Sequence, residues 1–254
     1  MKVAIVLRGH HEKHENERKD IASNSFCFTK LLDHFKVNVL RPLQQLYGVD
    51  NVRVFFITYE SHEIEVIRDV LDVSAEHVFL RPKNSSTQSK MLSQGLLELL
   101  PFLKEYDLFY ILRFDIAYKK PITEWNVCSN SGRVFWFPWR ESELLWNRAK
   151  RVSDLFHVIS GGFETLQCFL KCLLVHANTY NCMHQIYREL TSALGSESAI
   201  GFICPDGFFD SNTGIDNKSC RKNPVCILSQ RGYFHDDFED PAGGGSTKFD
   251  DVTS

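Results

Sequence analysis

Runs of apolar residues alternate with helical-period stretches along the first half of the chain. Residues 3–7, VAIVL, form a run of strand length with no polar face, the pattern of a strand buried on both sides. Phe28, Leu31, Leu32 and Phe35 then recur at helical spacing, with Asn24 upstream as a cap and Pro42 breaking or restarting the helix before Gly48. The string VRVFFITY at 52–59 is a second buried strand. Ile64, Ile67, Val70 and Leu71 outline the next helix, and 78–80 a short strand closed by Pro82. A longer helix is expected over 84–104, with Leu92, Leu96, Leu99 and Leu100 as its stripe. The strand at 108–112 follows it directly. Further strands are expected at 133–137, 155–159 and 225–229, with helices at 164–177 and at 180–194, the latter ended by Gly195. The β-α-β-α-β alternation predicts an α/β fold: a mixed, mainly parallel sheet flanked by helices, in a single domain over 1–240. The stretch 241–254, opening with Pro241 and three glycines, is expected to be a flexible tail.

Composition narrows the function classes. With 254 residues, 43% of them hydrophobic, and 20 phenylalanines, the chain can bury one sizeable core. A formal charge of −3 argues against nucleic acid or an acidic membrane as the main partner. The first apolar run is too short for a signal peptide, and no stretch is long enough to span a bilayer. A cytoplasmic protein with reduced thiols is therefore expected, and none of the 8 cysteines forms a CxxC pair. His10, His11 and His14 can be assembled on paper into a zinc site but read better as a hydrated loop. Cys168, Cys172 and His176 fall at four-residue steps on one helix, ~6 Å apart per step, which spreads three ligands too far for one ion. Burial in the core is the expectation there.

The chemistry concentrates in the stretch 106–125, YDLFYILRFDIAYKKPITEW. A buried strand that ends in Arg113 and Asp115 carries both to the carboxyl edge of the sheet, where ligands of open α/β sheets bind. Asp115 can hold a divalent cation, and the cation a phosphate. Arg113 can pair with a phosphate or a carboxylate, and a solvent-facing salt bridge is the plainer alternative. Arg8 and Gly9 after the first strand suit a nucleotide contact, since glycine admits close approach and arginine supplies fixed donors. An ordinary connecting loop is the other possibility. Trp139 and Arg140, with Glu141, Glu143 and Trp146 nearby, can form a platform for a sugar ring.

The string Tyr106-Asp107-x-x-x-Ile111-x-Arg113-x-Asp115 resembles the segment of GT-A-type glycosyltransferases that carries the metal-binding D-x-D. It is most similar to small soluble transferases that build bacterial capsule and large-virus surface glycans. Arg113 stands where the first acid would be, and Asp115 keeps the last. The resemblance, in order and spacing over about 1–160, implies a GT-A-like (Rossmann-like) fold. It also implies a nucleotide-sugar donor, UDP-linked, an oligosaccharide or glycoprotein acceptor, and Mn²⁺ or Mg²⁺. It places the donor at Arg8, Gly9, Gln88, Lys90, Arg113 and Asp115; the acceptor is expected at the ring platform of Trp139 and Arg140, for which a surface-anchoring tryptophan is the plainer alternative. Asp154, leading the strand at 155–159, is its first candidate for the base of an inverting transfer, with Glu141 second. It adds His235 to Asp115 as metal ligand, with Asp236 and Asp237 as rivals. Two other readings stay open. A non-catalytic nucleotide- or sugar-binding module on the same fold is kept alive by Arg113. A phosphate-handling hydrolase lacks a P-loop, a GxSxG or a paired metal motif.

Overall fold

β1 (Val3–Arg8) is buried along its whole length because neither of its faces carries a polar side chain before Arg8. The computed structural model describes residues 1–9, 12–13, 26–82, 87–118, 120–125, 127, 132–141, 143–179, 183–204 and 226–228. In chain order its further elements are β2 (Glu12–Lys13), β3 (Phe26–Cys27), α1 (Leu32–Phe35), α2 (Arg41–Tyr47), β4 (Val52–Tyr59), α3 (His62–Val70), β5 (Val78–Arg81) and α4 (Gln88–Leu103). After these come β6 (Leu108–Arg113), β7 (Ile116–Tyr118), β8 (Phe135–Phe137), α5 (Glu143–Ala149), β9 (His157–Ile159), α6 (Gly162–Thr179), α7 (Tyr187–Leu194), β10 (Ile200–Phe202) and β11 (Cys226–Leu228).

Seven strands make one sheet in the order β10-β8-β9-β6-β1-β4-β5. β1 pairs in parallel with both β4 and β6, and β5 extends the parallel side. β9 alone runs against its neighbours β6 and β8, while β10 is parallel to β8. The mixed, mainly parallel sheet flanked by helices is thus the architecture observed. Alternation along each central strand feeds two cores. Val3, Ile5 and Leu7 meet Phe28, Phe35 and Leu43 from the helical run at 28–47 and Ile64 and Ile67 from α3. Ala4 and Val6 meet Leu96 and Leu99 of α4, Phe169 and Leu173 of α6, and Leu190 of α7. No helix among the described residues is long and apolar enough to cross a membrane.

Several expectations shift in detail. Residues 28–47 form one helical run that passes through a wider π turn at Lys36–Leu40 immediately before Pro42, whose missing N–H cannot close an ordinary α-helical bond. The helix expected from 84 begins at Gln88, with Thr87 as its cap, and Asn84 lies outside the described residues. The helix expected over 180–194 is the shorter α7, preceded by a 3₁₀ turn at Met183–Gln185. Asn24 and the tail at 241–254 also lie outside the described residues.

Candidate functional site

The reversal of β9 creates the site. Parallel strands β1 and β6 end together, with Arg8 and Arg113 as register partners. Because β9 runs the other way, the segment that enters it, including Asp154, arrives at the same carboxyl edge where β1 and β6 finish. β8 ends at that edge too, so the residues after Phe137 approach it from the other side. Backbone bonds stitch the two approaches together. Ser153 N–H donates to Trp139 C=O at 3.0 Å, and Glu141 N–H to Arg151 C=O at 3.1 Å. Val152 N–H donates to His184 C=O at 2.8 Å, which draws the 3₁₀ turn before α7 into the same cluster.

The side chains that meet there are mostly charged and mostly buried. Arg113 grips Asp115 through a two-pronged fork, Nε to Oδ1 at 2.7 Å and Nη2 to Oδ2 at 2.5 Å. Arg8 is 1% exposed and its Nη2 donates to the backbone carbonyl of Asp154, while its Nε has no partner among the described residues. Glu141 is fully buried and spends both oxygens: Arg151 Nε donates to Oε2 at 2.6 Å, and His184 Nδ1 lies 2.9 Å from Oε1. The same Nδ1 lies 2.9 Å from Val152 C=O. His184 Nε2 stands 3.7 Å from Asp154 Oδ1, within reach of charge attraction but too long for a hydrogen bond. His157 is fully buried beside Phe135, Phe137 and Phe169, with neither ring nitrogen partnered among the described residues.

Charge here is shared out by position. Burial would raise the Asp154 carboxyl, but His184, Arg113 and Arg8 outweigh it and hold the group down at about 2. Burial would lower His184, but Asp154 and the bond to Glu141 outweigh it and push the imidazolium up to about 9. His157 has no such compensation. Burial, with Arg8 nearby, depresses it to about 3, so its ring is neutral. Arg8 is lowered to about 10, chiefly by burial, and keeps its charge at neutral pH. Four cationic side chains, Arg8, Arg113, Arg151 and His184, therefore stand among three carboxylates, Asp115, Asp154 and Glu141.

Of the residues singled out in the sequence, Arg8, Arg113, Asp115, Glu141 and Asp154 do come together at one sheet edge. Arg8 needs a correction: it is the last residue of β1 rather than a loop residue, and its buried guanidinium holds the Asp154 segment. Gly9 follows at φ 92°, a backbone angle that side chains resist, and is tied to β4 by its N–H to Ile57 C=O and by Thr58 Oγ1 to its carbonyl. Gln88 and Lys90 open α4, beyond the carboxyl end of β5. They share the edge, and among the described residues no hydrogen bond or ion pair joins them to the cluster. Trp139 does not display an open ring: it is 4% exposed and packs edge-on to Phe156. The Arg140 guanidinium lies over the rings of Phe202 and Trp146, at 4.2 and 5.1 Å. His235, Asp236, Asp237, His10, His11 and His14 lie outside the described residues. β11 does pair antiparallel with β7, so that Leu228 sits opposite Ile116, next to Asp115.

The fit of a divalent cation can be tested on Asp115 itself. Its side chain is 2% exposed and both oxygens are committed to Arg113. Among the described residues no group of three or more His, Cys, Asp or Glu side chains is arranged to hold a metal ion. The described residues do not fit Mn²⁺ or Mg²⁺. On α6, Cys172 is buried with its thiol pushed up to about 11, chiefly by burial, and His176 faces Glu189 of α7 at 3.1 Å. His184, Arg151 and His157 are the members of the cluster that the sequence reading did not assign to the site. Nothing in the sequence around His184 announces Glu141 and Asp154 as its partners.

No family model matches the chain, and no curated protein matches it. Solved structures do resemble it in fold. A glycosyltransferase involved in glycosylation of the major capsid of PBCV-1 is similar over 76% of this chain and 74% of its own, at 10% identity and a TM-score of 0.41. Mouse xyloside xylosyltransferase 1 is similar over 79% of this chain and 84% of its own, at 12% identity and 0.39. A nucleoside-diphosphate-sugar pyrophosphorylase from Vibrio cholerae is similar over 74% of this chain and 87% of its own, at 9% identity and 0.44. The structures that this chain resembles thus include both glycosyltransferases and nucleotidyltransferases.

Proposed function

We propose that the protein is a glycosyltransferase that moves a sugar from a nucleoside-diphosphate donor to a glycan acceptor. One observation carries the reading. Arg8, Arg113, Asp115, Asp154, Glu141 and His184 converge at the carboxyl edge of the sheet, where strand direction switches between β6 and β9. Such an edge suits a ligand with both phosphate and hydroxyl groups. The UDP-linked donor and the oligosaccharide or glycoprotein acceptor rest on the likeness of the string at 106–115.

Asp154 is assigned to the transferred sugar and its acceptor. Its side chain is 13% exposed and its carboxylate has no hydrogen bond among the described residues, whereas Glu141 is closed at both oxygens. A carboxyl held at about 2 is a weak acceptor of protons. Asp154 therefore acts mainly by orienting an acceptor hydroxyl and by stabilising positive charge that develops on the sugar. Glu141 acts as the positioning residue behind His184. A panel of nucleotide sugars in a thermal-shift experiment tests the reading, because a ligand that binds the folded state raises its melting temperature. One donor class is expected to raise it, and no shift with any of them sinks the proposal. The enclosure of Asp115 under Arg113 favours one second reading, a binding module without turnover. Intact donor after prolonged incubation with protein and acceptor glycans would select it.

A further inference from the structure

Arg113 does more than remove a metal ligand. Its fork closes over both oxygens of Asp115, and a guanidinium–carboxylate pair of this shape is rigid and directional. A divalent cation needs carboxylate oxygens at about 2.0–2.6 Å. At Asp115 it would have to break that fork and then sit against the positive charge that it displaced. Arg8, the register partner of Arg113, adds a second buried positive charge behind it.

Of the two side chains, that of Arg113 keeps the greater exposure. Arg113 is 11% exposed where Asp115 is 2%. A guanidinium has five N–H donors, and among the described residues Asp115 takes two of them; the other edges of the same plane are the ones a ligand would use. An arginine locked in this way presents donors at a fixed angle, which suits the oxygens of a phosphate. We propose that, on the transferase reading above, the donor's diphosphate is received by the Arg113 guanidinium, locked by Asp115 and backed by Arg8, with no divalent cation at Asp115.

Calorimetry of the full chain with UDP and with GDP, each in millimolar MnCl₂ and in EDTA, decides the point. One of the nucleotides is expected to bind with a Kd that differs by no more than about twofold between the two media. Arg113→Lys, which keeps the charge but loses the fork, is expected to weaken that binding by about tenfold or more in EDTA. Tightening by Mn²⁺ of about tenfold that disappears in Asp115→Asn would overturn the inference and leave the transferase reading standing. If His235→Ala abolishes the Mn²⁺ response as well, the second metal ligand is located. Binding by Arg113→Lys equal to the parent also overturns the inference. Absence of binding by either nucleotide in either medium overturns both the inference and the reading it rests on. The Mn²⁺–EDTA comparison on the unaltered chain decides even where the lysine variant does not fold.

Discussion

Arg8 exchanges water for one carbonyl and the field of two neighbouring carboxylates, and burial weakens its hold on its proton as a result. Its removal strips the only side-chain anchor described for the Asp154 carbonyl and leaves a void at the sheet edge. Arg8→Ala is expected to destabilise the protein by on the order of 3 kcal/mol, read from the denaturant midpoint. An unchanged midpoint with weaker nucleotide binding would return Arg8 to the role of a ligand contact. Asp154→Asn should behave differently. The residue is partly exposed and lends its carboxylate to the site, so transfer is expected to fall about a hundredfold while donor affinity holds. Transfer at the parental rate would make Asp154 structural. Both residues were legible in the sequence because each adjoins an apolar run, and a polar residue at the end of such a run must emerge at a sheet edge. His184 was not legible. Its partners Glu141 and Asp154 come from separate segments, and only the backbone pairing of 139–141 with 151–153 brings them together.

Elements whose burial is two-sided could be read directly, since β1, β4 and β6 are filled with apolar residues and need no partner to identify them. The reversal of β9 could not be read. Three paired residues do not state their direction, which is decided by how β8 and β6 leave a slot between them. α5 escaped notice because its 7 residues make barely two turns and none of them is more than partly buried. α4 shows how closely helix and sheet approach. A methyl group at Gly95 would stand 2.5 Å from the nearest carbon of Ile57, a fully buried residue of β4. Alanine raises helix propensity by about 1 kcal/mol over glycine. Overpacking a filled core costs about 1–3 kcal/mol. Gly95→Ala is therefore expected to lower the urea midpoint in spite of the better helix former. A higher midpoint would mean that Ile57 repacks freely and that glycine is not required for this contact.

At the scale of the whole molecule, two histidines, His157 buried and His184 half-buried, set the pH at which the fold is firmest. His184 is raised to about 9 from an ordinary 6.5, because Asp154 and Glu141 outweigh its burial. Its stabilising contribution is complete below pH 6.5 and is lost as pH rises through 9, since the folded state there holds a proton that the unfolded chain has released. His157 is lowered to about 3, by burial among phenylalanines and by Arg8. Below pH 6.5 the unfolded chain takes up a proton that the folded ring refuses, so stability falls as pH drops from 6.5 toward 3. Asp154, held at about 2 against an ordinary 3.8, steepens the loss at the acid end only, between about 4 and 2. The two histidines thus slope away from a common point, and the melting temperature is expected to peak near pH 6.5. Each limb can be removed alone. His184→Gln should flatten the decline between 6.5 and 9 while leaving the decline between 6.5 and 4 in place; the Asp154 loss below 4 should shrink with it. His157→Phe, which fits an aromatic surrounding, should flatten the decline between 6.5 and 4. A melting temperature that still falls from 6.5 to 9 in His184→Gln would show that the bridge from Glu141 to Asp154 does not govern the alkaline side. The imidazolium assigned to the candidate site would then have to be withdrawn.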